Sequence, residues 1–539
     1  MGGESVIMRI FPFLILLFLI PSVILQSSAK DKSREKKVRA VKLSRQIHLD
    51  GKLDESVWKS RPIDNFIQQE PDEGSPASEQ TYAWVAYDET NLYFAANLKD
   101  SDPEQIDASL MRRDNMVKSD WFFIYLDPYL DRRTGYYFAV NAGGSKLDGT
   151  LYNDSWLDDK WDGIWEVETS VNQDGWSFEM KIPFSQLRFN DSEEMEWGVN
   201  FNRDIKRKNE MNFFVMVPKA ESGFVSHFAT LEGLTGIKPK QRLEFLPYLV
   251  QKAQYLKHDI DDPFYSANQY QTSVGLDFKV GLGSNLTIDG TLNPDFGQVE
   301  VDPAVVNLSA FETFYQEKRP FFIEGENIFR YGYGGINNNW GFNFGVPNLF
   351  YSRRIGRTPQ GDIPDYDHVD YPSETRILGA AKLSGKLAES VSIGALSALT
   401  ERTYAAISAN GRISDHEVEP LTHYGVLRTS KEFNEGRHGL GMIFTSVNRD
   451  LQNSDLYTQL VSQAYTAGLD GWTTLDKDET YVVNGSFVGS YIKGSEAAVE
   501  EKQRMPYRYF QRPDRTRNIL DPTLTSLTGW YSRLIHYSH

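Results

Sequence analysis

The alternation of apolar and polar positions changes character twice along this chain. The first apolar stretch, Ile10 to Leu25, is broken only by Pro12, Pro21 and Ser22. At 16 residues it falls short of the ~20 that a membrane-spanning helix needs. Met8-Arg9 precedes it and the small residues Ser27-Ser28-Ala29 follow it, so residues 1–29 read as an export signal cleaved after Ala29. The charged run at 30–39 reads as a solvated linker.

From 40 to 237 the pattern is of short strands separated by turn chemistry. Tyr82 to Tyr87 and Leu92 to Ala96 flank the polar turn Asp88-Glu89-Thr90-Asn91, which predicts a hairpin. Trp165 to Val171 and Trp176 to Ile182 flank Asn172-Gln173-Asp174-Gly175 and predict a second, with Trp176 facing the core. Trp121 to Leu126, Tyr136 to Asn141, Trp197 to Phe201 and Asn212 to Val217 add further strands. Closely spaced short strands with almost no helical periodicity predict a two-sheet sandwich.

From 242 to 539 the strands lengthen and alternate strictly. Leu286, Ile288 and Leu292 interleave with Thr287, Asp289 and Thr291. The same period-two pattern recurs at Val274–Val280, at Ile377, Ala381 and Leu383, at Val391–Leu399, at Leu440, Met442 and Phe444, and at Val483–Tyr491. Dyad segments of ~10 residues are the length of a membrane-crossing strand. Aromatics near their ends (Tyr248, Tyr351, Tyr424, Trp472, Tyr481, Tyr491) suit an interfacial girdle. A soluble sandwich or solenoid would alternate too.

Composition narrows the classes. With 57 Lys+Arg against 74 Asp+Glu the formal charge is −17, which gives no electrostatic basis for a nucleic-acid partner. The absence of cysteine removes disulfides, thiolate nucleophiles and Cys-ligated zinc. No His-Glu-x-x-His or Gly-x-Ser-x-Gly motif is present, and no catalytic residue is assigned.

Four stretches carry a family resemblance: Ile47 to Trp58 with Asp50-Gly51, Tyr87-Asp-Glu-Thr-Asn-Leu-Tyr-Phe94, Asp120-Trp-Phe-Phe-Ile-Tyr-Leu-Asp-Pro128, and Asp174-Gly-Trp-Ser-Phe-Glu-Met-Lys-Ile-Pro183. In this order they resemble the family-9 carbohydrate-binding module, a β-sandwich that holds sugar ends between aromatic rings. Where sugar-binding members carry a tryptophan, a glutamate and an arginine, this chain has Val117, Phe123 and Ala139. Phe and Ala offer a hydroxyl no hydrogen-bond partner. The segment Tyr152 to Trp165 is the alternative. Trp156 and Trp161, with Asp154 and Asp158, are its candidate saccharide contacts. Against that, Trp161 and Trp165 could simply plug the sandwich core. Asp154, Asp158, Asp159 and Asp162 could together hold Ca²⁺, although they lack the alternating spacing of a calcium loop. No other cofactor is expected.

Between the halves lies Asn293-Pro-Asp-Phe-Gly-Gln-Val-Glu-Val-Asp-Pro303, continuing to Gly325. With the modules on either side it resembles an uncharacterised bacterial family in which a family-9-like module precedes an outer-membrane barrel. Asn307-Leu308-Ser309 could cap a helix carrying Phe311, Phe314 and Tyr315 on one face and ended by Lys318-Arg319-Pro320. Such an element belongs inside the barrel or at its mouth. The carboxylates Asp295, Glu300, Asp302, Glu312, Glu317, Glu324 and Glu326, with Lys318 and Arg319, suit a salt-bridged plug better than a catalytic pair.

The expectation is an all-β chain: an N-terminal β-sandwich (40–237) followed by an incomplete antiparallel outer-membrane-type β-barrel (242–539), truncated at its C-terminus. The protein is expected to be exported to the bacterial outer membrane, with the sandwich in an aqueous compartment. Its expected partners are oligo- or polysaccharide and outer-membrane lipid, and its expected role is non-catalytic glycan binding linked to polysaccharide catabolism or uptake. The alternatives are a glycoside hydrolase or its accessory, and a structural or translocation barrel whose sandwich no longer binds sugar.

Overall fold

A strand flanked by apolar residues on both faces must be covered on both, and Trp121–Asp127 is such a strand, with every residue buried. In the computed structural model Phe122, Ile124 and Leu126 enter the core between two sheets. Trp121, Phe123 and Tyr125 join a second apolar cluster on the outer side of the same sheet. The structure describes residues 36–294, 313–332 and 347–538, except 191, 222, 238–240, 256–260, 265–267, 389, 435, 453, 477–479, 507 and 515. The export signal and the carboxylates Asp295, Glu300, Asp302 and Glu312 lie outside the described residues.

The sandwich has a nine-stranded and a five-stranded sheet. Both expected hairpins form. Thr81–Tyr87 pairs with Asn91–Lys99, and Glu166–Asn172 with Gly175–Pro183, all in the five-stranded sheet. Trp176 is 1% exposed and packs on Phe178. Lys37–Arg39, within the stretch expected to be a linker, is instead an edge strand parallel to Ala229–Thr235, because Val38 is apolar and buried.

The resemblance motifs are held together by their own polar groups. Glu179 is fully buried and accepts hydrogen bonds from Trp58 Nε1 (2.9 Å) and the backbone N–H groups of Asp50 (3.0 Å) and Gly51 (3.1 Å). Gly51 has φ +75°, and a Cβ there would lie 2.7 Å from the Thr169 backbone, so only glycine fits. Asp88 closes the first hairpin, accepting from the N–H of Thr90 and Asn91 (both 2.7 Å) and from Tyr93 Oη (2.8 Å).

The second half is a ten-stranded antiparallel sheet in which each strand pairs with the next along the path, from Leu243–Tyr255 to Ser526–Ser538. Among the described residues these two end strands are not paired with each other, so the sheet is open. A three-stranded side sheet joins Thr403–Ala409 and Arg412–Glu419, which lie between Val391–Thr400 and Thr422–Phe433, to His368–Asp370, which comes before Ile377–Ala388.

The covered face of the ten-stranded sheet mixes charged and apolar side chains, and its exposed face carries large apolar ones. Lys382, Arg428, Asp470, Asn484 and Ser486 are buried on one face, whereas Leu427, Leu440, Met442, Phe444 and Leu469 are exposed on the other. The expected alternation is present, with one shift. A register irregularity between Ile377 and Gly379 puts Ile377 on the buried side, out of phase with Ala381. Tyr424 and Trp472, expected in an outer girdle, are both buried at 8% exposure.

The connecting segment packs on the covered face. Pro320–Ile323 is a short helix and Glu326–Phe329 a 3-10 turn, and Phe322, Phe329 and Tyr331 share a cluster with Leu396, Tyr424, Val426 and Ile443. Pro320 therefore begins a helix rather than ending one, its missing N–H being harmless at the first helical position. Phe314 and Tyr315 lie in irregular chain. Glu317 pairs with Arg319, Glu324 with Lys279 and Glu326 with Lys160, so the described carboxylates of this segment are all salt-bridged.

Candidate functional site

Polar bonds join the sandwich to the ten-stranded sheet and the connecting segment. Lys386 is ion-paired with Asp131, donates to Thr134 Oγ1 (3.2 Å) and lies 4.5 Å from the centre of the Tyr129 ring. Arg188 Nη2 donates to Ser384 Oγ (3.1 Å), Arg133 faces Glu432 (3.5 Å), Lys160 Nζ donates to Glu326 (3.0 Å), and Arg330 Nη1 donates to Tyr152 Oη (2.9 Å). Burial tends to raise the Asp131 carboxyl, but Lys386 outweighs it and holds it below the usual range.

These contacts enclose a cleft of about 250 Å³, near the lower end of small-ligand sites at roughly 300–1,000 Å³. The sandwich contributes the rings of Tyr129, Tyr136, Tyr152, Trp156 and Trp161, and the sheet contributes Trp472. Charged groups from both sides line the same space, including Arg188, Asp289, Glu324 and Arg330. Two lining residues, Tyr129 and Asp289, each hold a buried side-chain oxygen (Oη and Oδ1) with no hydrogen-bond partner among the described residues.

The four residues singled out from the sequence fall in different environments. Trp156 is half-buried on the edge strand Trp156–Asp158, its ring perpendicular to that of Tyr152 at 5.4 Å, and it lines the cleft. Trp161 belongs to the sandwich core, edge-on to Tyr136 (4.9 Å) and Phe138 (5.9 Å), and only its margin reaches the cleft. The Asp154 carboxylate accepts from the N–H of Phe224 (3.0 Å) and Ser226 (2.9 Å) and from Ser226 Oγ (3.0 Å), which ties down the turn Val225–His227. Asp158 accepts from the Lys160 N–H (3.2 Å), and burial raises its pKa.

The four aspartates weighed for Ca²⁺ are not brought together. Asp162 instead joins Asp114 and Asp148, with carboxylate oxygens within 4.8 Å of one another. Arg113 contacts all three, bonding Asp148 at 2.7 Å and Asp162 at 2.9 Å, so a guanidinium already stands where a cation would. Burial, then the neighbouring Asp148, pushes the Asp114 carboxyl up to about 6.

Phe123 and Ala139 are cross-strand partners and are both buried in the outer cluster beneath Phe213, Val225 and Phe228. Apolar side chains occupy the position where the resembled modules take sugar. Sequence reading overlooked Tyr129, Arg188 and Arg330, which only the docking of the two halves brings together.

Fold and cleft define an all-β protein in two parts, a sandwich docked on an open antiparallel sheet, with a mixed aromatic and charged site between them. Residues 239–516, just over half of the chain, match the family described as Domain of unknown function (DUF5916), and the chain belongs to that family. Among solved structures it is similar to a carbohydrate-binding module family 9 from Caldicellulosiruptor kristjanssonii in complex with glucose. That pair shares 15% identity with a TM-score of 0.28, covering 38% of this chain and 97% of the other. The cellotriose complex of a module with the same description gives 15% identity and a TM-score of 0.27, covering 38% and 95%. A protein from Bacteroides uniformis ATCC 8492 gives 14% and 0.30, covering 36% and 98%. No curated protein matches the chain.

Proposed function

We propose that this protein binds saccharide without catalysis at the bacterial cell envelope, in polysaccharide catabolism or uptake. On this reading the ten-stranded sheet is embedded in the outer membrane and the sandwich sits in the adjoining aqueous compartment. The observation that carries the binding reading is the cleft, where half-buried rings stand beside unspent polar groups. Aromatic faces stack on pyranose rings, and convergent hydrogen-bond groups fix their hydroxyls. The sequence resemblance to sugar-binding modules supports the same ligand class. The lining carboxylates favour binding over hydrolysis. Asp289 lies 3.8 Å from Lys279 and from Lys382, Glu324 2.7 Å from Lys279, and Glu432 3.5 Å from Arg133.

A glycan array probed with the full-length protein in non-ionic detergent tests the reading. Trp156→Ala should weaken the captured glycan by roughly 1 kcal/mol or more, about fivefold, with the melting temperature unchanged. An array without a single bound glycan would refute the proposal.

The membrane reading rests on the exposed apolar face, since Leu, Met and Phe turned outward from a sheet that buries Lys, Arg and Asp on its covered face suit lipid as the outer solvent. Leu427, midway along Thr422–Phe433 and opposite Phe444, is on the apolar face. Ser430, on the same strand, lines the cleft on the other. Leu427→Arg should cost about 2–4 kcal/mol if it lies near the bilayer midplane, and outer-membrane insertion should drop. Ser430→Arg should insert normally. Equal insertion of both, or a protein soluble without detergent, would count against the embedded sheet.

A further inference from the structure

The charges lining the cleft are not evenly matched. Each lining carboxylate has a lysine or arginine within 4 Å: Asp289 has Lys279 and Lys382, Glu324 has Lys279, and Glu432 has Arg133. Two of the lining cations are paired as well, Lys386 with Asp131 and Arg428 with Asp470. Arg188 and Arg330 are different. Among the described residues neither has a carboxylate within ion-pair distance. The side-chain hydrogen bond of Arg188 among the described residues goes to Ser384 Oγ (3.1 Å), and that of Arg330 to Tyr152 Oη (2.9 Å). A guanidinium carries five N–H donors in a planar fork, so most of these donors have no protein acceptor among the described residues and are open to water, Arg330 being exposed and Arg188 half-buried.

This is unusual for a chain of net charge −17. Its overall field repels anions, and surplus carboxylates were available to neutralise both arginines. Two guanidinium groups without an ion-paired carboxylate stand beside the rings of Tyr129, Tyr152 and Trp156, with Asp289 and Asp158 acting on them only at longer range. Tyrosine and tryptophan faces suit a pyranose ring, while arginine suits a planar carboxylate, which it binds through two parallel N–H···O bonds.

Building on the saccharide reading above, we infer that the ligand is an acidic oligosaccharide, one whose sugar units carry carboxylates, and that Arg188 and Arg330 select it. The rings supply affinity for sugar in general. The arginines supply the preference for its charge. Because the contact is ionic and the cleft is open to water, that preference weakens as salt rises.

The experiment titrates full-length protein in non-ionic detergent with oligogalacturonate and oligomannuronate, each beside its fully methyl-esterified form, and with neutral cello-oligosaccharide. Esterification removes charge while leaving the sugar rings unchanged. The free acid of at least one series should bind about tenfold or more tighter than its ester, and the gap should shrink as salt rises. Arg188→Gln and Arg330→Gln should each lower affinity for the acid severalfold more than for the ester, so that the gap between acid and ester narrows. Esters or neutral chains bound as well as the acids would overturn the inference and leave saccharide binding standing. No binding of any of these probes would overturn the inference, and the glycan array would then decide the reading beneath it. The comparison of acid with ester needs only the unmodified protein, so it decides the matter even where a variant fails to fold.

Discussion

Trp176→Ala should destabilise the sandwich by about 3–5 kcal/mol, the cost of deleting a large aromatic side chain from a packed core. The indole lies on Gly175–Pro183 between Val171 and Leu98, its cross-strand neighbours, with Phe178 at 6.0 Å on the same strand. At 1% exposure nothing can move in to fill the space without shifting a strand. Urea unfolding of residues 36–237 checks this, because that segment holds both sheets and their core. A small cost would mean that the residue reaches solvent and that the register of the second hairpin is wrong. A fragment that does not unfold cooperatively would mean that the sandwich depends on the sheet it docks against.

The hairpins were legible in the sequence because a strand–turn–strand unit is local. Asp88 and Gly175 act on groups a few residues away or directly across a ladder. The motif residues were legible for a less obvious reason, which is that they build the sandwich. Asp50, Gly51 and Trp58 meet Glu179 across more than a hundred residues, and that buried carboxylate requires all three donors. A motif of this kind marks the fold and says little about the ligand, as Phe123 and Ala139 demonstrate by filling the expected sugar position with apolar side chains.

The alternation of the second half was equally legible, since side chains in a strand change face at every residue. It failed where that rule is broken, at the irregularity beside Ile377, and where an apolar residue faces inward to meet the connecting segment, as Tyr424 does. The cleft could not be read at all. Tyr129, Arg188, Arg330 and Ser384 are scattered over more than 250 positions, and no periodicity joins them. Of the four candidates taken from the acidic loop, Trp156 lines the cleft as a half-buried ring, while Asp154 lies under the turn Val225–His227, whose approach no local pattern announces.

Asp470→Ala should cost about 3–5 kcal/mol, because it leaves the Arg428 guanidinium buried without its counter-charge. The two side chains belong to strands that are not neighbours. Arg428 lies on Thr422–Phe433 and Asp470 on Gln463–Thr474, with His438–Arg449 between them. They meet over Gly441, where a Cβ would stand 2.6 Å from Arg428 Nη1 and 2.7 Å from Asp470 Oδ1, so the intervening strand leaves room for the pair by having no side chain there. Both guanidinium nitrogens engage the carboxylate, Nη2 at 2.8 Å, and the same carboxylate accepts from the Gly332 N–H at 2.9 Å. The neighbouring Tyr331 hydroxyl reaches the carbonyls of Leu469 (3.0 Å) and Phe487 (2.8 Å), so Asp470 anchors the connecting segment to the sheet as well as balancing a charge. Replacing both partners by apolar residues of similar volume, Arg428→Met with Asp470→Leu, should recover most of the charge penalty but not the bond to Gly332. Thermal unfolding of the full-length protein in detergent should therefore rank the single variant below the double, and the double below the wild type. If the single and double variants melt together, the cost lies in the lost anchor and the arginine is reached by water. If both melt with the wild type, the connecting segment is held by its aromatic contacts alone.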